Sequence, residues 1–155
     1  MRVYLVQHGL AKEVHEDAER PLSDQGREDV ARVAGFLSLF EKPQPGRIIH
    51  SGKLRAKQTA EMFADGWGSP PAEQGPDLGP NADPSVWSAQ LASMDSDLML
   101  VGHLPYMQRL AGLLLSGDCE REVVRFRNGG VVCLERGKAG WSLCWQVNPT
   151  LFYGE

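Results

Sequence analysis

The sequence predicts an α/β fold of three layers, with a mostly parallel central sheet, helices on both faces and a C-terminal hairpin. Three observations carry this expectation. Val3-Tyr4-Leu5-Val6 and Leu98-Met99-Leu100-Val101 are short runs apolar on both faces, as in strands buried within a parallel sheet. Segments of helical period alternate with such runs, which is the pattern of a layered α/β domain. Finally, Val131–Leu134 and Trp141–Val147 flank Gly137-Lys138-Ala139-Gly140, a hairpin signal.

Taken in order, the first strand is followed by a polar loop and then by Pro21-Leu22-Ser23-Asp24-Gln25-Gly26, where Ser23 suits a helix cap. Val30, Val33, Ala34, Leu37 and Phe40 recur at helical spacing, and Pro43 lies just past the end. Arg47-Ile48-Ile49-His50 reads as a second strand, and Lys53 to about Ala64 as a second helix without breakers. Residues 66–84 are crowded with Gly and Pro; a loop this long suggests a function or a hidden short strand, placed here near 72–74. Asp83 or Pro84 opens a third helix to about Met94. A fourth runs from Pro105, a favoured first-turn residue, to about Leu115. In the last strand Trp141, Leu143, Trp145 and Val147 alternate with Ser142, Cys144 and Gln146, which predicts one buried face.

The 155 residues suit a single domain, 1–155, with a core large enough to need no disulfide staples. A net charge of −4 argues against a nucleic-acid partner, whose binding rests on clustered Lys and Arg. Cys119, Cys133 and Cys144 are an odd set without a Cys-x-x-Cys pair, so they read as reduced thiols of a cytoplasmic protein rather than as a zinc site. No apolar run approaches the roughly 18 residues of a membrane span, so no membrane partner is expected. Monomer is the default expectation.

Ligands of such sheets bind outside the carboxyl ends of the strands. There the sequence places Gln7-His8-Gly9, then Ser51-Gly52-Lys53-Leu54-Arg55, then Gly102-His103, and Arg20 can return to the same edge. A single strand-end His is more often a packing residue, and His15 and His50 keep that reading, with no partner evident for either. The convergence of His8, Arg55 and His103 suits a phosphoryl group. Arg binds its oxygens bidentately. A neutral imidazole is a good nucleophile at phosphorus, and neighbouring guanidiniums would push its pKa lower by repulsion.

These residues resemble the histidine phosphatase superfamily, and more closely its short SixA-type phosphohistidine phosphatases. The resemblance rests on Tyr4-Leu5-Val6-Gln7-His8-Gly9-Leu10-Ala11, on Arg20-Pro21-Leu22-Ser23-Asp24-Gln25-Gly26, on residues 51–60 and on Val101-Gly102-His103-Leu104-Pro105. It implies a phosphoglycerate-mutase-like fold and a metal-independent phosphatase without a cofactor. His8 would be the phosphorylated nucleophile, with His103 and Arg55 completing the catalytic set. Gln7, Arg20, Ser51, Arg55 and His103 would hold the phosphate. The implied partner is a protein carrying phosphohistidine, such as a phosphotransfer domain or a phosphocarrier of a signalling relay.

The chain departs from the family pattern twice. Gln7 stands where the signature has Arg, which removes one positive charge and its fork. Leu10 stands where many relatives carry Glu or Asp, so no carboxylate acid is evident. That favours phosphohistidine over a sugar phosphate, because an imidazole can leave neutral once its other nitrogen carries a proton. A protonated His103 is the alternative acid. Two rivals stay open: a non-catalytic module that binds phosphoproteins, and a phosphatase of a small phosphomonoester. Cys119 and Arg125 have the Cys-x5-Arg spacing of cysteine phosphatases, but Asp118, Glu120 and Glu122 would repel phosphate and no glycine is present to shape an anion nest.

Overall fold

The computed structural model describes residues 1–154. Six strands form one sheet: β1 (Arg2–Gln7), β2 (Arg47–His50), β3 (Glu73–Gln74), β4 (Leu98–Gly102), β5 (Val131–Gly137) and β6 (Gly140–Val147). Their order is β3-β2-β4-β1-β5-β6. β1 to β4 run parallel, β5 is antiparallel to β1, and β6 returns antiparallel to β5. Four helices, α1 (Asp24–Leu39), α2 (Leu54–Trp67), α3 (Pro84–Leu91) and α4 (Tyr106–Ser116), cover the sheet.

The alternation of side chains across the strands builds two apolar layers. Tyr4, Val6, Met99 and Val101 face α1 and α2 through Val30, Val33, Ala60 and Phe63. Val3, Leu5, Leu98 and Leu100 face α3 and α4 through Trp87, Leu91, Met107 and Leu110. Because β1 and β4 have helices on both sides, their central residues are completely buried.

Local chemistry sets the helix ends. Ser23 caps α1 by accepting from Gly26 N at 3.0 Å, and Asp83 caps α3 by accepting from Ser85 N at 2.9 Å. α2 runs three residues beyond the expected end at Ala64 and stops where Gly68 adopts φ 62. α3 stops at Leu91, short of Met94, and the chain then turns so that Asp97 accepts from Arg2 N at 2.7 Å. α4 begins one residue later than expected, with Pro105 at its cap.

The single buried face expected for the last strand is not what forms. The β5–β6 register slips between Cys133 and Leu134, so Cys144 is an extra residue on β6. The bulge sends Trp145 and Val147 to the α1 side and Trp141 to the α3–α4 side, while Leu143 is 48% exposed. Residues 66–84 do hide a strand, β3, and a plug: Leu78 is 1% exposed, and Trp87 Nε1 donates to Pro76 O at 2.9 Å. Among the described residues no helix is long and apolar enough to cross a membrane.

Candidate active site

Parallel β1, β2 and β4 deliver their carboxyl ends to one edge, and the segments leaving them meet there. The rings of His8 and His103 lie 5.0 Å apart between centroids. His8 is fixed from several directions. Its backbone N donates to Gly102 O at 2.9 Å, and its carbonyl accepts from Asn128 Nδ2 at 3.0 Å and from Gly129 N at 3.2 Å. The next residue, Gly9, donates to Thr59 Oγ1 at 2.9 Å, and Thr59 donates in turn to Arg55 O at 2.8 Å. The His8 loop and the helix bearing Arg55 are thereby tied together.

Close packing also fixes this loop. A Cβ on Gly26 would lie 2.0 Å from Leu10 O, and one on Gly9 would lie 2.9 Å from Val30 Cγ2. Leu10 O accepts from both Ser23 N and Ser23 Oγ, and Leu22 N donates to Gln58 Oε1 at 2.8 Å.

The two imidazoles present different faces. His8 Nδ1 lies 2.7 Å from Gly9 O, a carbonyl that can only accept. The ring proton therefore sits on Nδ1 and the Nε2 lone pair is free. Ser51 Oγ lies 2.6 Å from His103 Nε2 and itself accepts from Lys53 N at 3.4 Å. Ser51 Oγ keeps a second lone pair and its own proton, so it pairs with Nε2 in either tautomer of the neutral His103 ring. The Nδ1 of that ring is buried without a partner. His8 thus offers a free ring lone pair, and His103 an unpartnered ring nitrogen.

Both rings are held neutral. Burial first, then the charges of Arg55 and Arg20, lower His8 to about 4 against a raising contribution from its bond to Gly9 O. Burial, then His8, Arg55, Lys53 and Arg20 lower His103 to about 3. Guanidinium repulsion acts in the expected direction, but burial is the larger cause in each case. A protonated His103 acting as acid is therefore disfavoured in the unliganded site.

Positive charge here has no internal counter-ion. Among the described residues neither Arg20 nor Arg55 forms an ion pair. Arg55 Nε is buried without a partner, and burial together with Arg20's charge lowers its pKa. Arg20 is held at φ 49 while its Nε donates to Lys12 O at 3.0 Å. Unpaired buried donors beside uncompensated cations suit an oxyanion. Gln7 contributes differently from the donor expected of it: its buried, unpartnered atom is the acceptor Oε1. Rotation about its terminal bond would bring the amide NH2 to that place.

His50 has the partner that the sequence did not reveal. Its Nδ1 accepts from Gly52 N at 3.1 Å, which shapes the turn presenting Ser51. His15 is exposed. Cys119 lies beside Arg109 and Glu120, not in an anion nest. Thr59 and Asn128 were not singled out from sequence. The signal for Thr59 is a hydroxyl on a helix face otherwise made of Ala56, Ala60 and Phe63. Asn128 has no comparable signal, because its partner is 120 residues away.

The sequence model described as histidine phosphatase superfamily (branch 1) matches residues 3–79. The protein histidine phosphatase SixA, solved with tungstate, superposes with a TM-score of 0.86 at 26% identity, covering 99% of this chain and 100% of that one. A protein assigned as SixA from Agrobacterium tumefaciens gives a TM-score of 0.77 at 21% identity, covering 96% of this chain and 97% of that chain. The alpha-ribazole phosphatase from Shigella flexneri gives 0.75 at 15% identity, covering 93% and 95%. No curated protein matches the chain by sequence.

Proposed function

Because this chain belongs to the histidine phosphatase superfamily, whose members are phosphatases, we propose that it removes the phosphoryl group from phosphohistidine on another protein through a phospho-His8 intermediate. The observation that carries the reading is the pair of neutral imidazoles 5.0 Å apart, one with a free lone pair and one with an unpartnered ring nitrogen, beside two unpaired guanidiniums. SixA, which shares 26% identity over the whole chain, is named for the same substrate class.

In the first step His8 Nε2 forms a bond to phosphorus as the bond from phosphorus to the substrate nitrogen breaks. The electron pair returns to that nitrogen, and the imidazole leaves neutral when its other nitrogen keeps a proton. Arg20 and Arg55 hold the phosphoryl oxygens and take up the charge that develops on them, and His103 joins them in the tautomer that carries its proton on the unpartnered Nδ1. In the second step water attacks phospho-His8, loses its proton to solvent or to the departing phosphate, and regenerates the free ring. The residues supply positive charge without calling on a metal ion. The leaving imidazole needs no carboxylic acid, which fits Leu10 at the position after Gly9.

The protein acts as a cytoplasmic monomer in this reading, with its three cysteines free. Phosphate release from phosphoramidate and from a histidine-phosphorylated protein tests the function. Release should persist in EDTA and vanish in His8→Ala; a strong preference for a sugar phosphate would reassign the substrate. The absence of Arg at position 7 favours one other reading, a module that holds phosphoproteins without turnover, for which vanadate would bind and no phosphate would be released at any pH.

A further inference from the structure

In the segment after α4, residues 123–127 alternate between exposed and buried. Val124 and Phe126 are 3% and 5% exposed and lie in the apolar layer under α3 and α4. Val123, Arg125 and Arg127 between them face solvent. The stretch ends in the turn that holds the proposed nucleophile, since Asn128 Nδ2 and Gly129 N both donate to His8 O. Arg127 opens that turn, its carbonyl accepting from Gly130 N at 3.0 Å.

Among the described residues this row meets a single acidic side chain. Among the described residues Arg127 has no ion pair, and Arg125 meets only Glu122, at 3.8 Å with both side chains exposed, a contact worth little. The loop before α1 that carries Arg20 also carries Glu13, Glu16, Asp17 and Glu19, and none of these pairs with Arg125 or Arg127. The mechanism uses neither Arg125 nor Arg127. The burial of Val124 and Phe126 leaves both side chains exposed on the stretch that runs into the turn holding His8.

Resting on the phosphoprotein reading above, we propose that Val123, Arg125 and Arg127 form a docking row for the substrate protein, which takes an acidic surface flanking the phosphohistidine. An unpaired guanidinium on a chain of net charge −4 is complementary to carboxylates and steers their approach. A small phosphoramidate reaches the site without touching the row.

The test uses a histidine-phosphorylated phosphotransfer domain with acidic residues beside its histidine, the same domain with those residues changed to amides, and free phosphoramidate. Arg127→Glu and Arg125→Glu should each lower kcat/KM for the acidic domain about tenfold, weaken its salt dependence and leave phosphoramidate turnover unchanged. In the non-hydrolysing His8→Ala background, Arg127→Glu should weaken binding of the phosphorylated acidic domain and not of the amide variant. Equal losses on the domain and on phosphoramidate, or no loss on the domain in either assay, would overturn the docking row. Wild-type protein that releases phosphate from neither substrate would instead overturn the phosphatase reading, while the binding arm would still decide the row.

Discussion

His103 should make the fold acid-sensitive in a way that a non-titrating side chain would remove. Its ring is 2% exposed, sits 5.0 Å from His8 between centroids, and is lowered to about 3 chiefly by burial. An unfolded chain titrates this histidine near 6.5. Above pH 6.5 neither state binds the proton and the full stability is present. As pH falls from 6.5 towards 3, the unfolded chain takes up a proton that the fold refuses, so stability is lost across that window. At 1.36 kcal/mol per pH unit, the loss from this one group by pH 4 is on the order of 3 kcal/mol. Urea unfolding of wild type and His103→Asn at steps between pH 7.5 and 4 should show the variant losing about that much less. NMR titration of the His103 ring should show no midpoint near 6.5. Parallel stability curves, or a ring titrating at its ordinary value, would refute the account of a buried neutral pair.

Other perturbations probe the parts separately. Thr59→Ala leaves Gly9 N without its acceptor, so it should cost about 1–3 kcal/mol in urea unfolding and lower kcat, whereas Thr59→Ser should restore both. Gln7→Arg adds a fork beside the anion and should raise kcat/KM roughly tenfold to a few hundredfold, read by phosphate release. Leu143→Ser, at an exposed position across from Leu134, should change stability by no more than about 0.5 kcal/mol in urea unfolding, contrary to a strand with one buried face.

The elements legible in the sequence were those whose signal is local. The doubly apolar runs of β1 and β4, the Ser23 cap and the Gly140 turn each report their own geometry, and together they bring His8 and His103 to one edge. The β6 bulge was not legible, because inserting Cys144 leaves an unbroken alternation in sequence while changing the face of everything after it. The Asn128 clamp and the acceptor on His50 depend on turns that only the assembled edge creates. The tautomer of His8 was equally hidden, since Gly9 O, not the histidine itself, decides where its proton sits.

The most direct measurement is to mix the protein with a protein labelled on phosphohistidine, quench in alkali and map the label. The account predicts an acid-labile, alkali-stable phosphoryl group on the peptide containing His8, lost in His8→Ala and retained when EDTA is present. Label found on another residue, or steady phosphate release with His8 replaced by Ala, would contradict it.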